Sequence, residues 1–532
     1  MRANWDLKAA RLVFVALACG FAAMALGNLS ASADTSKGET GVILSNLPQK
    51  GSPQYKELSD LAGATGGQDL DMTHAEMWSV PQARLDALLE AAKRQGVQVK
   101  RLDQDWNRVA TPMPKDAKMS AKQTDMMHKA MESKAAMGMS MMELPDAAAM
   151  EYALTKGMNA PDQGTPPELV IPLNDKVTVT AHRTGVTKTE DGYIWRGVIA
   201  GSHEPVTLLW WPGGRLAGTI NHAGHTFVIK NLGGDMHGMI EMDPEKMPAD
   251  HGAASKTMMR KMKMRTDPLV HQGEAAMMQS GDARHDSLQI ELPEPREKRA
   301  AAPKDSTINL IVAYTKKAAS HYDDIEKDMI DVAIAEANQS FSDSGIDNVR
   351  VKLAHAYETD YAEEGSHFDH VYRFRNKGDG FMDEVHDLRD KYGADVAVLM
   401  VEDPMGCGLS IRVGADAADA FTAVHQECAA TMYSLAHEIG HLIGARHDRA
   451  LDDTPRPFPY GHGFVNGKAW RTMMSYEDSC DGCPRRPVWS SPEVKVDGTP
   501  AGNAETDNAK VIREEAARVA GFRPERTSAS AR

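Results

Sequence analysis

The stretch 436-AHEIGHLIGARHD-448 sets His437, His441 and His447 around a glutamate and just ahead of an aspartate. Helical residues four apart differ by about 40° around the axis, so His437 and His441 project from one face, one turn apart. Their imidazoles can meet one ion. A catalytic zinc takes three protein ligands and keeps a fourth position open, so two helical histidines leave the set one short. Gly444 supplies the missing step, because glycine takes the left-handed conformation that ends a helix and turns the chain. His447 then arrives as the third ligand. Glu438 lies beside His437, near the metal but not on it, where a general base belongs. Asp448 braces the turn or orients a ligand. Isolated core or surface histidines do not come with this glutamate and glycine, and a structural zinc closes with four Cys or His ligands.

The rest of the chain bounds the class. Its 532 residues carry a net charge of -15, which argues against a nucleic-acid-binding surface. By length, the chain holds roughly three or four structural units. Residues 1–33 have the layout of a signal peptide: Arg2, Lys8 and Arg11, then an apolar run from Leu12 to Gly27, then Ala31-Ser32-Ala33. The run is shorter than the about 20 residues a span needs, so export to a secreted or periplasmic location without a stable membrane span is expected. Past that leader remain Cys407, Cys428, Cys480 and Cys483. An even set in an exported chain favours disulfides, in any of three pairings, over a redox or zinc reading of Cys480-x-x-Cys483.

Patterning divides the remainder of the chain. Residues 34–111 mix short apolar pieces with one amphipathic helix, 81-PQARLDALLEAAKRQGV. Residues 112–167 are rich in Met, Lys and Ala and read as a linker or a loosely held helix. Runs such as 168-ELVIPL, 193-YIWRGVIAG and 205-PVTLLWW make 168–242 an antiparallel β-rich domain. A second Met-rich linker and processing region spans 243–304. From 305 to 524 strands alternate with helical patterns, 318–344 and 367–391 among them, which predicts an α/β domain with a twisted, mostly parallel sheet. Segments 407-CGLSIRV and 420-AFTAVHQE read as an edge strand and its return, and 525–532 as a tail.

The motif resembles the H-E-x-x-H-x-x-G-x-x-H signature of metzincin zinc metallopeptidases, with the trailing Asp of the reprolysin-like branch. Downstream, 472-TMMSY is similar to a Met-turn, with Met474 beneath the metal. The nearer resemblance is to bacterial peptidyl-Asp metallopeptidases, from about Thr307 to Phe522, through HEIGHLIGARHD, 459-PYGHGF, 470-WRTMMSY and 507-DNAKVIREEAARVAGF. It implies a metzincin-like catalytic domain with a zinc cleft, preceded by a β-rich propeptide domain. It further implies a zinc endopeptidase made as a zymogen, acting on protein or peptide substrates and cutting before Asp.

Tyr476 stands where some metzincins carry a zinc-approaching tyrosine and typical reprolysins do not; it either serves as ligand and oxyanion donor or is simply packed. Preference for an aspartate calls for a guanidinium beyond the Met-turn, with Arg485, Arg486, Arg471 and Arg446 as candidates. Processing falls within 296-REKRAAAPKD, at Lys304-Asp305 or at the dibasic Lys298-Arg299. No cysteine lies between Cys19 and Cys407, so the propeptide holds no cysteine switch. A separate reading makes the Met-rich stretches, with His128, His237, His251 and His271, an extracytoplasmic copper-binding or copper-sensing segment.

Overall fold

The computed structural model describes residues 38–63, 67–102, 105–114, 116–158, 167–202, 204–250, 305–365 and 367–524. The signal peptide, the processing stretch, His251, His271 and the tail lie outside the described residues. Among those described, no helix is long and apolar enough to cross a membrane.

The chain opens with a four-stranded antiparallel sheet of β1 (Glu39–Ser45), β2 (Gly67–Leu70), β3 (Ala75–Pro81) and β4 (Gln98–Arg101), ordered β2-β3-β1-β4. Helices Pro53–Ala62 and Gln82–Gln95 pack on it through Leu58, Leu85 and Leu88. Next comes a nine-stranded antiparallel sheet, built from β5 (Thr111–Pro112), β6 (Ala136–Glu143), β7 (Glu168–Pro172), β8 (Thr178–Lys188), β9 (Tyr193–Ile199), β10 (Pro205–Trp211), β11 (Arg215–His222), β12 (His225–Gly233) and β13 (Met236–Met242). The expected linker over 112–167 is corrected by this sheet. β6 pairs with β13 from Ala136 to Glu143, and helices Ala121–Ala130 and Ala147–Thr155 flank it. Methionine, unbranched and polarizable, fills the gaps there: Met126, Met139 and Met141 join Leu232 and Met236 in one cluster.

The last sheet carries the site. Its order is β15 (Val349–Thr359), β14 (Ser306–Thr315), β16 (Val396–Val401), β18 (Phe421–His425) and β17 (Gly408–Ser410). The first four strands run parallel, and β17 is an antiparallel edge. β16 reads VAVLMV with every residue buried, the continuous apolar run of a strand covered on both faces. Two helices expected to be continuous are broken. Asp324 accepts the amides of Glu326 and Lys327 and starts the helix afresh with a π-helical turn, Glu326–Ile330, that runs into Asp331–Asp343, separate from the turn Lys316–Ala319. Gly378 and Gly380, both near φ +85°, split 367–391 into His367–Arg375 and Glu384–Tyr392.

The N-terminal region and the α/β region share a core. Leu209, Trp211 and Ala217 of the large sheet pack with Ile308, Leu310 and the helix Asp331–Asp343. Beside them the Arg215 guanidinium reaches the fully buried Asp328 at 2.7 Å and Asp323 at 2.5 Å. Removing one partner of such a pair strands the other in a dry setting. Arg215→Met is expected to lower the unfolding free energy by about 3–5 kcal/mol, read as a lower urea midpoint at unchanged slope; an unshifted midpoint would show that the pair does not hold the two regions together.

Candidate active site

Helix Ser434–Ile443 packs Leu435, Ile439 and Leu442 into the main core and carries His437, Glu438 and His441, all three buried. Gly440 lets it sit close to its neighbours, because a Cβ there would meet the Trp489 ring at 2.5 Å and the Met474 sulfur at 3.3 Å. The helix ends where the amides of Gly444 and Ala445 both donate to the Gly440 carbonyl, at 3.0 and 2.8 Å. Gly444 has φ +139° and packs so tightly that a Cβ would lie 3.0 Å from Phe458. The turn expected at this glycine is present, and the chain then returns to bring in His447.

The three imidazoles converge. His447 Nε2 lies 3.2 Å from His437 Nε2 and 2.8 Å from His441 Nε2. On the outer side, His437 Nδ1 faces the Met473 carbonyl at 3.1 Å and His441 Nδ1 faces the Ala445 carbonyl at 2.9 Å. A carbonyl can only accept, so both Nδ1 atoms carry the proton and both Nε2 atoms present lone pairs inward. Tetrahedral nitrogen ligands about 2.05 Å from an ion stand roughly 3.3 Å apart. The donor set therefore fits a divalent metal, and among the described residues it is the one group of three or more His, Cys, Asp or Glu able to hold an ion.

Separate braces fix the third histidine. The Arg446 amide donates to the Gly461 carbonyl at 2.8 Å, the Gly463 amide to the Arg446 carbonyl at 3.1 Å, and His462 Nδ1 meets the His447 carbonyl at 3.0 Å. Asp448 accepts the Tyr476 amide at 3.1 Å through one oxygen and the Ser479 hydroxyl at 2.8 Å through the other. This aspartate thus ties the third-histidine loop to the segment after Met474. Met474 is fully buried, and the Tyr476 ring stands edge-on to His447 with centroids 4.4 Å apart.

Glu438 faces the edge strand. The Ser410 hydroxyl donates to its Oε2 at 2.7 Å, and Gly408 leaves room for the carboxylate, since a Cβ there would lie 2.7 Å from Oε1. Burial pushes its carboxyl up to about 8, against the opposing pull of the Ser410 hydrogen bond. Disulfides join Cys407 to Cys428, anchoring the start of β17, and Cys480 to Cys483, closing the loop beyond Tyr476.

The four candidate arginines separate into two groups. Arg471 and Arg485 are brought together because Arg471 donates its amide to Pro484 and accepts from the Arg486 amide, at 3.0 and 2.7 Å. Both then reach one carboxylate oxygen of Asp250, at 3.0 Å from Arg471 and 2.7 Å from Arg485. Arg446 is corrected: it is buried against Asp452 at 2.6 Å as part of the third-histidine loop. Arg486 is corrected too, since it pairs at 3.2 Å with the half-exposed Asp497. Of the copper candidates, His128 lies exposed on its helix, and both ring nitrogens of the buried His237 are engaged, by the Leu216 amide and the Asp235 carbonyl. Sequence reasoning missed Ser410 and Asp250. The first has no motif, and the second sits inside a stretch whose composition reads as linker.

With this geometry in view, comparisons with known proteins identify the family. A model described as metallo-peptidase family M12, of the reprolysin type, matches residues 304–487. A peptidyl-Asp metalloendopeptidase of Xanthomonas campestris pv. campestris is 35% identical over 67% of this chain and 83% of that one. One from Stenotrophomonas maltophilia is 33% identical over 65% of this chain and 81% of its own. One from Pseudomonas fragi is 34% identical over 35% of this chain and the whole of its own. Similarity at this level, over most of the relatives' length, makes the chain a hydrolase of the same kind: it belongs to the M12 metallopeptidases, as a metalloendopeptidase of the reprolysin-like group.

Proposed function

We propose that the protein is an exported zinc endopeptidase, made as a latent precursor, that hydrolyses the peptide bond before an aspartate. The observation that carries this reading is the meeting of three imidazole Nε2 atoms, two of them with tautomers set by backbone carbonyls. His437, His441 and His447 would hold the ion, and an all-imidazole set suits zinc. When bound, zinc supplies Lewis acidity that polarises the scissile carbonyl and acidifies water.

The chain's own groups do the rest. Glu438 takes the proton of the attacking water and returns it to the leaving amine, while the Ser410 hydroxyl orients its carboxylate. Tyr476, following the Met-turn and packed on His447, donates its hydroxyl to the oxygen that gains charge on the substrate carbonyl. Met474 forms the floor beneath the helix through its contact at Gly440. The edge strand β17 pairs with an extended substrate backbone on the side away from β18. Cleavage before Asp rests on the name shared by the relatives. Export rests on residues 1–33, and latency on the packing of the N-terminal region, the propeptide of this reading, against the catalytic domain from residue 305 on.

The test is to incubate the secreted chain and its Glu438→Ala form with an unstructured protein and to map cut sites by mass spectrometry. Cuts should cluster before Asp, vanish with a zinc chelator, and slow by roughly 10²–10⁴-fold in the variant; equal cutting by both forms would overturn the mechanism. Asp448→Asn leaves the three histidines in place but weakens the brace beneath them. Metal affinity, measured by chelator competition, should then fall roughly 10–100-fold, and an unchanged affinity would limit Asp448 to folding. For Tyr476→Phe the expectation is a kcat about 100-fold lower with KM nearly constant; an unchanged kcat would make the tyrosine a packing residue only.

A further inference from the structure

The last described residues before the α/β domain, Met247–Asp250, lie beside the site. After the turn Pro244–Lys246, Met247 is buried against Val228, Ile240 and the Cys407–Cys428 disulfide. The Cys407 amide donates to the Ala249 carbonyl at 2.8 Å, so the segment joins the residue just before the edge strand. One residue later the Asp250 carboxylate meets Arg471 and Arg485, and all three side chains are at most 6% exposed. These described residues were expected to belong to a linker; instead they are docked.

The two guanidiniums form a built anion site. Arg471 donates Nε to the Cys483 carbonyl at 3.1 Å and one terminal nitrogen to the Ser475 carbonyl at 2.6 Å. Arg485 donates to the Met432 carbonyl at 2.7 Å. Backbone carbonyls thus hold both guanidiniums, and Arg471 Nη1 and Arg485 Nη2 also reach one oxygen of the Asp250 carboxylate. Two buried cations side by side repel each other, and burial together with Arg485 lowers the Arg471 pKa to about 10. A carboxylate between them relieves that repulsion. The site adjoins the chemistry: Ser475 belongs to the Met-turn segment, and Asp250 and Arg485 are the charges that act on Glu438.

Resting on the peptidase reading above, we infer that Arg471 and Arg485 form the subsite for the substrate's aspartate, and that Asp250 fills it in the unprocessed chain. Met247–Asp250 lies beside the start of the edge strand, bonded to Cys407, with the carboxylate that defines the substrate supplied from within the chain. Such an occupant blocks the cleft without a metal-binding thiol, and no cysteine lies between Cys19 and Cys407 to provide one.

The experiment uses the full-length chain carrying Glu438→Ala, so that nothing is cut, and a fluorescent peptide with a single Ala-Asp step, followed by anisotropy. With Asp250 present the peptide should bind weakly. Asp250→Asn keeps the side chain's shape, vacates the charge site and should tighten binding by at least about tenfold, an energy change of roughly 1.4 kcal/mol. Adding Arg485→Met should abolish the gain, and a peptide with Asn in place of Asp should show none. Asp250→Ser is run beside it, with the melting transition of each variant recorded. The inference is overturned if neither variant gains affinity, if the gain is equal for the Asn peptide, or if neither variant folds, which would make Asp250 a folding element. Because binding is read without hydrolysis, failure of the peptidase reading shows separately, as an absence of cutting by the processed chain that retains Glu438.

Discussion

The site depends on two backbone carbonyls. Met473 and Ala445 each accept the Nδ1 proton of a helical histidine, which leaves both Nε2 lone pairs facing the same point. The two acceptors come from different places: one follows the motif helix, and the other, just before Met474, lies 36 residues after His437. Helix end and Met-turn must therefore be in register before any ion can be held. This explains why the second layer is so tightly packed, with Gly440 pressed between the Met474 sulfur and the Trp489 ring.

His447 is placed by other means. It comes after the helix, where no helical register fixes it, and the segment Tyr460–Gly463 and Asp448 do that work instead. Asp448 is buried, and its pKa is raised by that burial against three hydrogen bonds that favour the charged form. A buried carboxylate that stays useful only while its donors are present couples the loop to Tyr476 and Ser479. The tyrosine packed on His447 and the disulfide loop behind it are then positioned by the same residue that steadies the third histidine.

Much of this is legible in the sequence, for reasons of period and chemistry. His437, His441 and Gly444 follow from helical geometry alone, and the buried strands β14, β16 and β18 declare themselves as apolar runs. Residues whose roles come from tertiary placement are not legible. Ser410 is one polar residue in a short edge strand. Among the four arginines, only the zipping of Arg471 against Pro484–Arg486 selects two. The Met-rich segment 112–167 reads as a linker for a related reason: composition poor in branched and aromatic residues suggests no core, yet methionine packs well once β13 offers an edge to β6. Breaks in the two long helical patterns come from single side-chain caps and glycines, which a hydrophobic period does not reveal.

The docking of the N-terminal region also answers a problem that the catalytic fold creates. β17 lies at the edge of its sheet and is three residues long, and on the proposed reading it accepts a substrate backbone, for which it has to keep main-chain groups available. Open edges of that kind pair with whatever extended chain is near. In the full chain the residue just before β17 is engaged by Ala249, and the disulfide at its base is covered by Met247 with Val228 and Ile240. Holding that cover in place requires contacts that do not involve the cleft, and the buried Arg215 pair and the shared core at Trp211 supply them. If Asp250 plugs the site as inferred, separating the anchor from the plug means that a cut between residue 250 and the start of β14 would sever the chain without by itself emptying the cleft. On the proposed reading, release would then depend on how firmly the large antiparallel sheet is held, so that latency would be set by packing across the whole contact and not by Met247–Asp250 alone.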